Sequence, residues 1–167
     1  PEGYVAYAVV DEEAFIRDAL DAIFDQTFQD FEIIVVDGGS SDATLDINES
    51  YDDDRLRLLE RAGLGRSPSL NVAIDAAKGT YVANVDPDDI SRSRRLEKQV
   101  AFLESHPEVG VVGTAYHVED RVRGESYTRH CPTDDQAIRR EMTKYIPILH
   151  SGMMARRHAL VEVGLYD

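Results

Sequence analysis

Lysine is nearly missing from this chain of 167 residues: only Lys78, Lys98 and Lys144 are present. Arginine supplies the rest of the 18 bases, and 32 acids leave a formal net charge of −14. Phosphate backbones are held by basic patches, so a nucleic-acid partner is disfavoured. The one local basic run, Arg92 to Arg95, is interleaved with serine and adjoins acids. An acid-rich, lysine-poor balance reads as adaptation to high salt, where a short Debye length screens self-repulsion. Cysteine is reduced to Cys131. One cysteine excludes an internal disulfide and a Cys-built zinc site, and it fits a reducing, cytoplasmic setting. No apolar run approaches the ~20 residues of a membrane span. Attachment to an inner membrane face would have to come from sequence outside these residues.

Several catalytic signatures are also missing. No G-x-G-x-x-G follows the first apolar run, which argues against a dinucleotide-binding dehydrogenase. No G-x-x-x-x-G-K-[ST] is present, which removes P-loop enzymes. The chain has no G-x-S-x-G elbow and no H-x-x-x-H pair, so an α/β-hydrolase and a zinc protease are both disfavoured. A receiver-type phosphoacceptor domain would need a lysine at a later strand end, and none of the three lysines sits at one.

The patterning that is present alternates between two periods. Strands are predicted at Tyr4 to Val10, Phe31 to Val36, Arg55 to Leu59, Tyr81 to Val85 and Val109 to Val118, with a last short one from Ile148 to Ala155. Helices are predicted at Ala14 to Gln26, from a cap among Ser40, Ser41 and Asp42 to about Ser50, at Ser69 to Lys78 closed by Gly79 as a C′ glycine, and at Arg94 to Glu104. Residues 119–145 read as irregular apart from a helix at Asp134 to Thr143, and a further helix starts at Arg157. Alternating β and α elements with near-continuous apolar strands predict an α/β fold: a mostly parallel sheet covered by helices on both faces, in a single domain.

Acids follow three of these strands. Asp11-Glu-Glu13 follows the first, Asp37 the second, and Asp86, Asp88 and Asp89 close the run Tyr81-Val-Ala-Asn-Val-Asp-Pro-Asp-Asp89. In a parallel sheet all three groups fall on one edge, the edge where such folds bind ligands. Clustered carboxylates there suit a hard divalent cation, which in turn holds phosphate. Asp-Pro-Asp-Asp is equally good turn chemistry, and its acids could cap the next helix.

The segments Asp11-Glu-Glu-Ala-Phe-Ile16, Gln26-Thr-Phe-Gln-Asp-Phe-Glu-Ile-Ile-Val-Val-Asp-Gly-Gly-Ser-Ser-Asp42, Leu70-Asn-Val-Ala-Ile-Asp-Ala-Ala-Lys-Gly-Thr-Tyr81, Val85-Asp-Pro-Asp-Asp-Ile90 and His150-Ser-Gly-Met-Met-Ala-Arg156 resemble, in order, those of family 2 glycosyltransferases. The resemblance implies the GT-A fold, with residues 1–90 as the nucleotide-binding half and 91–167 as the start of the acceptor-side half. It implies inverting transfer of a sugar, from a UDP-sugar by preference, to a glycan, lipid or protein acceptor. It places Val9, Val10, Asp11 and Asp37 around the nucleotide base, and Arg66 within reach of base or phosphates. Asp86-x-Asp88 matches the family's D-x-D, with Asp86 towards the ribose and both acids towards Mn²⁺ or Mg²⁺. Asp89 and His150 fall on the acceptor side, with Asp89 capping or supporting the next helix. A non-catalytic nucleotide-sugar-binding module is the competing reading.

Four departures from the family pattern stand out. Gly38 replaces a frequent second Asp. Ala8-Val-Val-Asp11 replaces Pro-x-Tyr-Asn, and Pro68 stands where Ala is commoner. The family's base motif lies beyond a Gly-x-Tyr-Asp segment, which here is Gly164-Leu-Tyr-Asp167. The expectation is therefore that residues 1–167 bind nucleotide and metal but transfer little sugar. The charge balance also predicts that thermal stability rises between about 0.1 M and about 2 M KCl. Unfolding followed by circular dichroism across that range tests it, and an unmoved midpoint would refute the salt adaptation.

Overall fold

The computed structural model describes residues 3–120 and 122–167. In chain order the elements are β1 (Gly3–Val9), α1 (Ile16–Phe24), β2 (Phe31–Asp37), α2 (Thr44–Glu49), β3 (Leu56–Glu60), α3 (Arg66–Ala76), β4 (Tyr81–Asn84), α4 (Arg95–Ser105), β5 (Val111–Val112), β6 (Tyr116–Asp120), β7 (Glu125–Arg129), α5 (Asp135–Met142), a 3-10 turn (His150–Gly152), β8 (Met154–Arg156) and α6 (Arg157–Glu162).

The apolar runs pair as their burial requires. Every residue of β2 is buried, as suits a strand covered on both faces. It lies between β1 and β3, and β1 lies between β2 and β4, all parallel. Antiparallel β8 then joins β4, and β5 joins β8, giving the order β3-β2-β1-β4-β8-β5.

Side chains alternate across this sheet. Val5, Tyr7, Ile33 and Val35 pack with Leu20 and Ile23 of α1 and with Leu96, Val100 and Leu103 of α4. On the other face, Tyr4, Ala6, Ile34 and Val82 pack with Leu70, Ala73 and Ile74 of α3. The predicted α/β class, parallel sheet and two covered faces are all present.

Four predicted local features are corrected. First, Gly79 is not a left-handed C′ glycine, because α3 ends at Ala76 and its C-cap residue, Ala77, is extended. What requires glycine at 79 is space. A Cβ there would lie 2.8 Å from the Gly3 carbonyl carbon and 3.1 Å from the Tyr4 amide. Second, α3 starts at Arg66 rather than Ser69, which puts Pro68 in the first turn, where a missing N–H costs nothing.

Third, the strand expected from Val109 to Val118 is two strands. The chain leaves the main sheet at Gly113, which passes so close to Ile148 that a Cβ would meet its Cγ2 at 2.5 Å. It then forms a separate β6–β7 hairpin within the stretch expected to be irregular. Strand β7 is exposed throughout, so it carries no apolar alternation to read. The Asp120 carboxylate accepts from the Val122 and Arg123 amides, and Gly124 turns the chain at φ 68°. Fourth, the strand expected from Ile148 to Ala155 is the 3-10 turn followed by β8.

A buried glutamine links the first and fourth helices. The Gln26 side chain donates to the Ala22 and Arg92 carbonyls and accepts from the Leu96 amide at 3.0 Å. It thereby satisfies an amide in the first turn of α4, which has no capping side chain of its own.

Gly79→Ala is predicted to destabilise the fold by about 1–3 kcal/mol, through overpacking against the β1 backbone. That is roughly 2–12 °C in Tm for a domain of this size. Gly110→Ala is the control, since its Cβ would meet only Ala159 Cβ at 3.8 Å. Its Tm is expected to stay near wild type.

Candidate functional site

The parallel register brings the strand ends together. Val9 is level with Asp37, and Ala6 is level with Asn84, two residues before Asp86. A cleft of about 390 Å³ opens at this edge. Val9 and Val10 form one wall, Leu64, Gly65, Arg66 and Ser69 around the start of α3 form another, and Glu12, Asp86 and Asp88 complete it.

Asp86, Asp88 and Asp89 each offer a carboxylate oxygen within 4.8 Å of the others. The set consists of hard oxygen donors with no sulfur, which fits Mg²⁺ or Mn²⁺ and not a soft metal. The Arg66 guanidinium is hydrogen-bonded to Asp86 Oδ1. Glu12, not singled out from the sequence, faces the cluster. Its carboxyl is held above the usual range, first by burial and then by Asp88, Asp42 and Asp86. In an acid-rich run it had nothing to mark it out.

Asp89 does not cap α4, which begins six residues later. Its carboxylate accepts from the Ser151 hydroxyl instead, tying the acid loop to the 3-10 turn. Burial, followed by Asp88 and Asp86, pushes its pKa up.

Behind the loop lies Arg95. Its guanidinium donates to the Asn84 carbonyl at 2.8 Å, the Met153 carbonyl at 3.2 Å, Ser91 Oγ at 3.0 Å and Gln99 Oε1 at 3.1 Å. Burial brings it down to about 10, so it remains charged. Sequence pattern gave no hint of this, because Arg95 stood only as one member of a basic run interleaved with serine.

His150 lies farther back. Its Nε2 is 3.0 Å from Asn84 Nδ2 and 3.2 Å from the Tyr166 hydroxyl. Burial, reinforced by Arg66, lowers its pKa and keeps the ring neutral at pH 7. Asn71 Nδ2 donates to the Tyr166 carbonyl at 2.8 Å, and Asn71 Oδ1 accepts from the Tyr166 amide at 3.0 Å. One side chain of α3 thus fixes the backbone of Tyr166 at this edge. None of these four residues lines the cleft.

The loops after β1 and β2 are stitched together. Asp37 is buried and accepts from the Gly39 and Ser40 amides, both at 2.8 Å, and from Ser40 Oγ at 2.5 Å. Asp11, at φ 54°, accepts from the Ser41 amide at 2.7 Å. Neither acid lines the cleft; both shape the loops beside it. Two departures from the family pattern turn out to touch. A Cβ at Gly38 would lie 2.7 Å from Val10 Cγ2, so glycine at 38 makes room for valine at 10.

Residues 5–164 match the profile of Glycosyl transferase family 2. EpsE of Bacillus subtilis (strain 168) is 36% identical over 165 residues, which is 95% of this chain and 58% of that protein. The amylovoran biosynthesis glycosyltransferase AmsE of Erwinia amylovora is 28% identical over 156 residues, covering 91% of this chain and 58% of that protein. The chain therefore spans little more than half the length of these relatives. Among solved structures, S. aureus TarS 1-349 in complex with UDP-GlcNAc shares the fold at a TM-score of 0.78 and 23% identity, over 99% of this chain and 48% of that one. The mannosyltransferase PcManGT from Pyrobaculum calidifontis, in complex with GDP-Man and Mn²⁺, gives 0.75 and 24%, over 100% of this chain and 48% of that one. With a family match over nearly its whole length and a GT-A architecture, this chain belongs to glycosyltransferase family 2.

Proposed function

We propose that the chain is the donor-binding part of an inverting glycosyltransferase domain. In this reading it binds a nucleotide-diphosphate sugar together with Mn²⁺ or Mg²⁺, for transfer to a glycan, lipid or protein hydroxyl. The observation that carries the reading is the placement of Asp86 and Asp88 in one cleft with Arg66 and the start of α3, at the carboxyl ends of parallel strands. A UDP-sugar is the first donor to try; the TarS fold neighbour was solved with UDP-GlcNAc.

In this reading the residues divide the work as follows. Val9 and Val10 offer an apolar wall to the base, and Asp11 and Asp37 hold the loops that shape that wall. Asp86 and Asp88 would hold the cation, with Asp89 beside them and braced by Ser151. A divalent ion there supplies Lewis-acid neutralisation of the leaving diphosphate. Arg66 offers a planar pair of donors to phosphate oxygens at a helix N-terminus, where negative charge is favoured. By family resemblance Asp89 and His150 belong to the acceptor side. The Asp89 carboxylate accepts from Ser151, and His150 Nε2 is engaged with Asn84 Nδ2 and the Tyr166 hydroxyl. Removal of the acceptor proton calls for a carboxylate base.

A thermal-shift panel in molar KCl with UDP, GDP and dTDP, each with and without Mn²⁺, tests the reading. One nucleotide is expected to stabilise the chain only with metal, by about 2.7 kcal/mol at a hundredfold excess over Kd. That corresponds to roughly 5–11 °C. No shift with any of the three would reject donor binding. Asp88 is exposed, so Asp88→Asn is predicted to keep the unliganded Tm while losing the metal-dependent shift.

A further inference from the structure

Building on the reading of this cleft as a cation–diphosphate site, we propose that Arg66 is a resident counter-ion. In the donor-free cleft it holds Asp86. When a divalent ion takes Asp86 over, Arg66 is released to the diphosphate.

Charge in the cleft is one-sided. Glu12, Asp86 and Asp88 face it, and among the described residues lining it Arg66 is the only base. The other nearby cation, Arg95, is buried and committed to two carbonyls, Ser91 and Gln99, so it is fixed in place. Arg66 is far less enclosed. Its side chain is 58% exposed against 28% for Asp86, and it hangs from the first residue of α3. An ion pair this open is weakly held in water.

The two partners cannot serve both masters. While the guanidinium occupies Asp86, the D-x-D offers an incoming cation one carboxylate oxygen fewer, and the Arg66 N–H held by Asp86 is not offered to diphosphate. A divalent ion on Asp86 and Asp88 repels the guanidinium. The released arm then finds phosphate oxygens, which it binds as a planar fork. The Gly65 N-cap supplies no capping side chain to α3, so the Arg66 and Ser67 amides can face the same anion; Pro68 has no N–H and the Ser69 amide donates to the Gly65 carbonyl. Cation and diphosphate therefore favour each other's binding, and by linkage each raises the other's affinity by the same factor.

Plain electrostatics also couples a cation to an anion, so the test must isolate the contact. Binding of UDP and of GDP is measured by calorimetry in molar KCl, where long-range charge effects are screened. Wild type, Asp86→Asn, Arg66→Met and the double variant are each titrated with Mn²⁺ and with a chelator, after thermal unfolding shows that they are folded. Wild type is expected to bind one of the two nucleotides with Mn²⁺. Without metal, Asp86→Asn is expected to bind that nucleotide at least about fivefold more tightly than wild type, the lower end of typical coupling. In the Arg66→Met background the same substitution is expected to give no gain. A gain that persists in that background would mean simple charge removal, and no gain in either would mean no hand-over; both overturn the proposal. If neither nucleotide binds wild type with Mn²⁺, the donor-site reading itself fails, and the hand-over falls with it.

Discussion

The buried guanidinium of Arg95 is the interaction on which the candidate site most depends. A cation in the protein interior is tolerated only when its donors are matched by acceptors. Arg95 meets that condition with two main-chain carbonyls that belong to different parts of the fold, Asn84 at the end of β4 and Met153 just before β8. It therefore clamps a parallel strand to its antiparallel neighbour at the point where the acid loop leaves the sheet. The same positive charge sits beneath Asp86 and Asp89 and offsets part of their mutual repulsion. Removing it would take this donor from the Asn84 carbonyl, leave the Met153 carbonyl with the Asn84 amide, and leave the acid loop without its counterweight.

The layers around this clamp explain why the cleft is polar on one side and apolar on the other. Helix α3 packs Leu70, Ala73 and Ile74 onto the sheet, which points its first turn, with Arg66, at the strand ends. Val9 at the end of β1 and Val10 just after it line the same space. The loops that carry Asp11 and Asp37 are held by side chain to main chain hydrogen bonds, with Ser40 and Ser41 shared between them. These acids shape the wall rather than stand in it, so their charge is partly spent before any ligand arrives.

Legibility from sequence followed the range of the interactions. The strands β1, β2 and β4 were readable because burial on both faces leaves unbroken apolar runs, and the parallel edge then placed Asp37 and Asp86 together. Arg95 was not readable, because its burial depends on Met153, 58 residues away. The pairing of Asn71 with Tyr166 spans 95 residues and leaves no local trace. Glu12 was hidden among neighbours of the same charge. Gly79 was assigned its usual local job, whereas the real constraint is the backbone of Gly3 beside it. Strand β7 escaped because an exposed hairpin needs no apolar alternation. For Arg95, Asn71 and Gly79 a tertiary contact decided what no local pattern carried.

Position 11 shows how a backbone angle filters the alphabet. At φ 54° the chain is left-handed, a region that glycine, asparagine and aspartate enter most cheaply. Only a few letters are open to mutation there, whatever the side chain touches. The family's asparagine and this chain's Asp11 are both among them, and either offers an oxygen to the Ser41 amide. The exchange thus preserves the turn and adds one negative charge to the chain. A drift towards acidity proceeds most easily at sites of this kind, where the fold does not distinguish the amide from the acid.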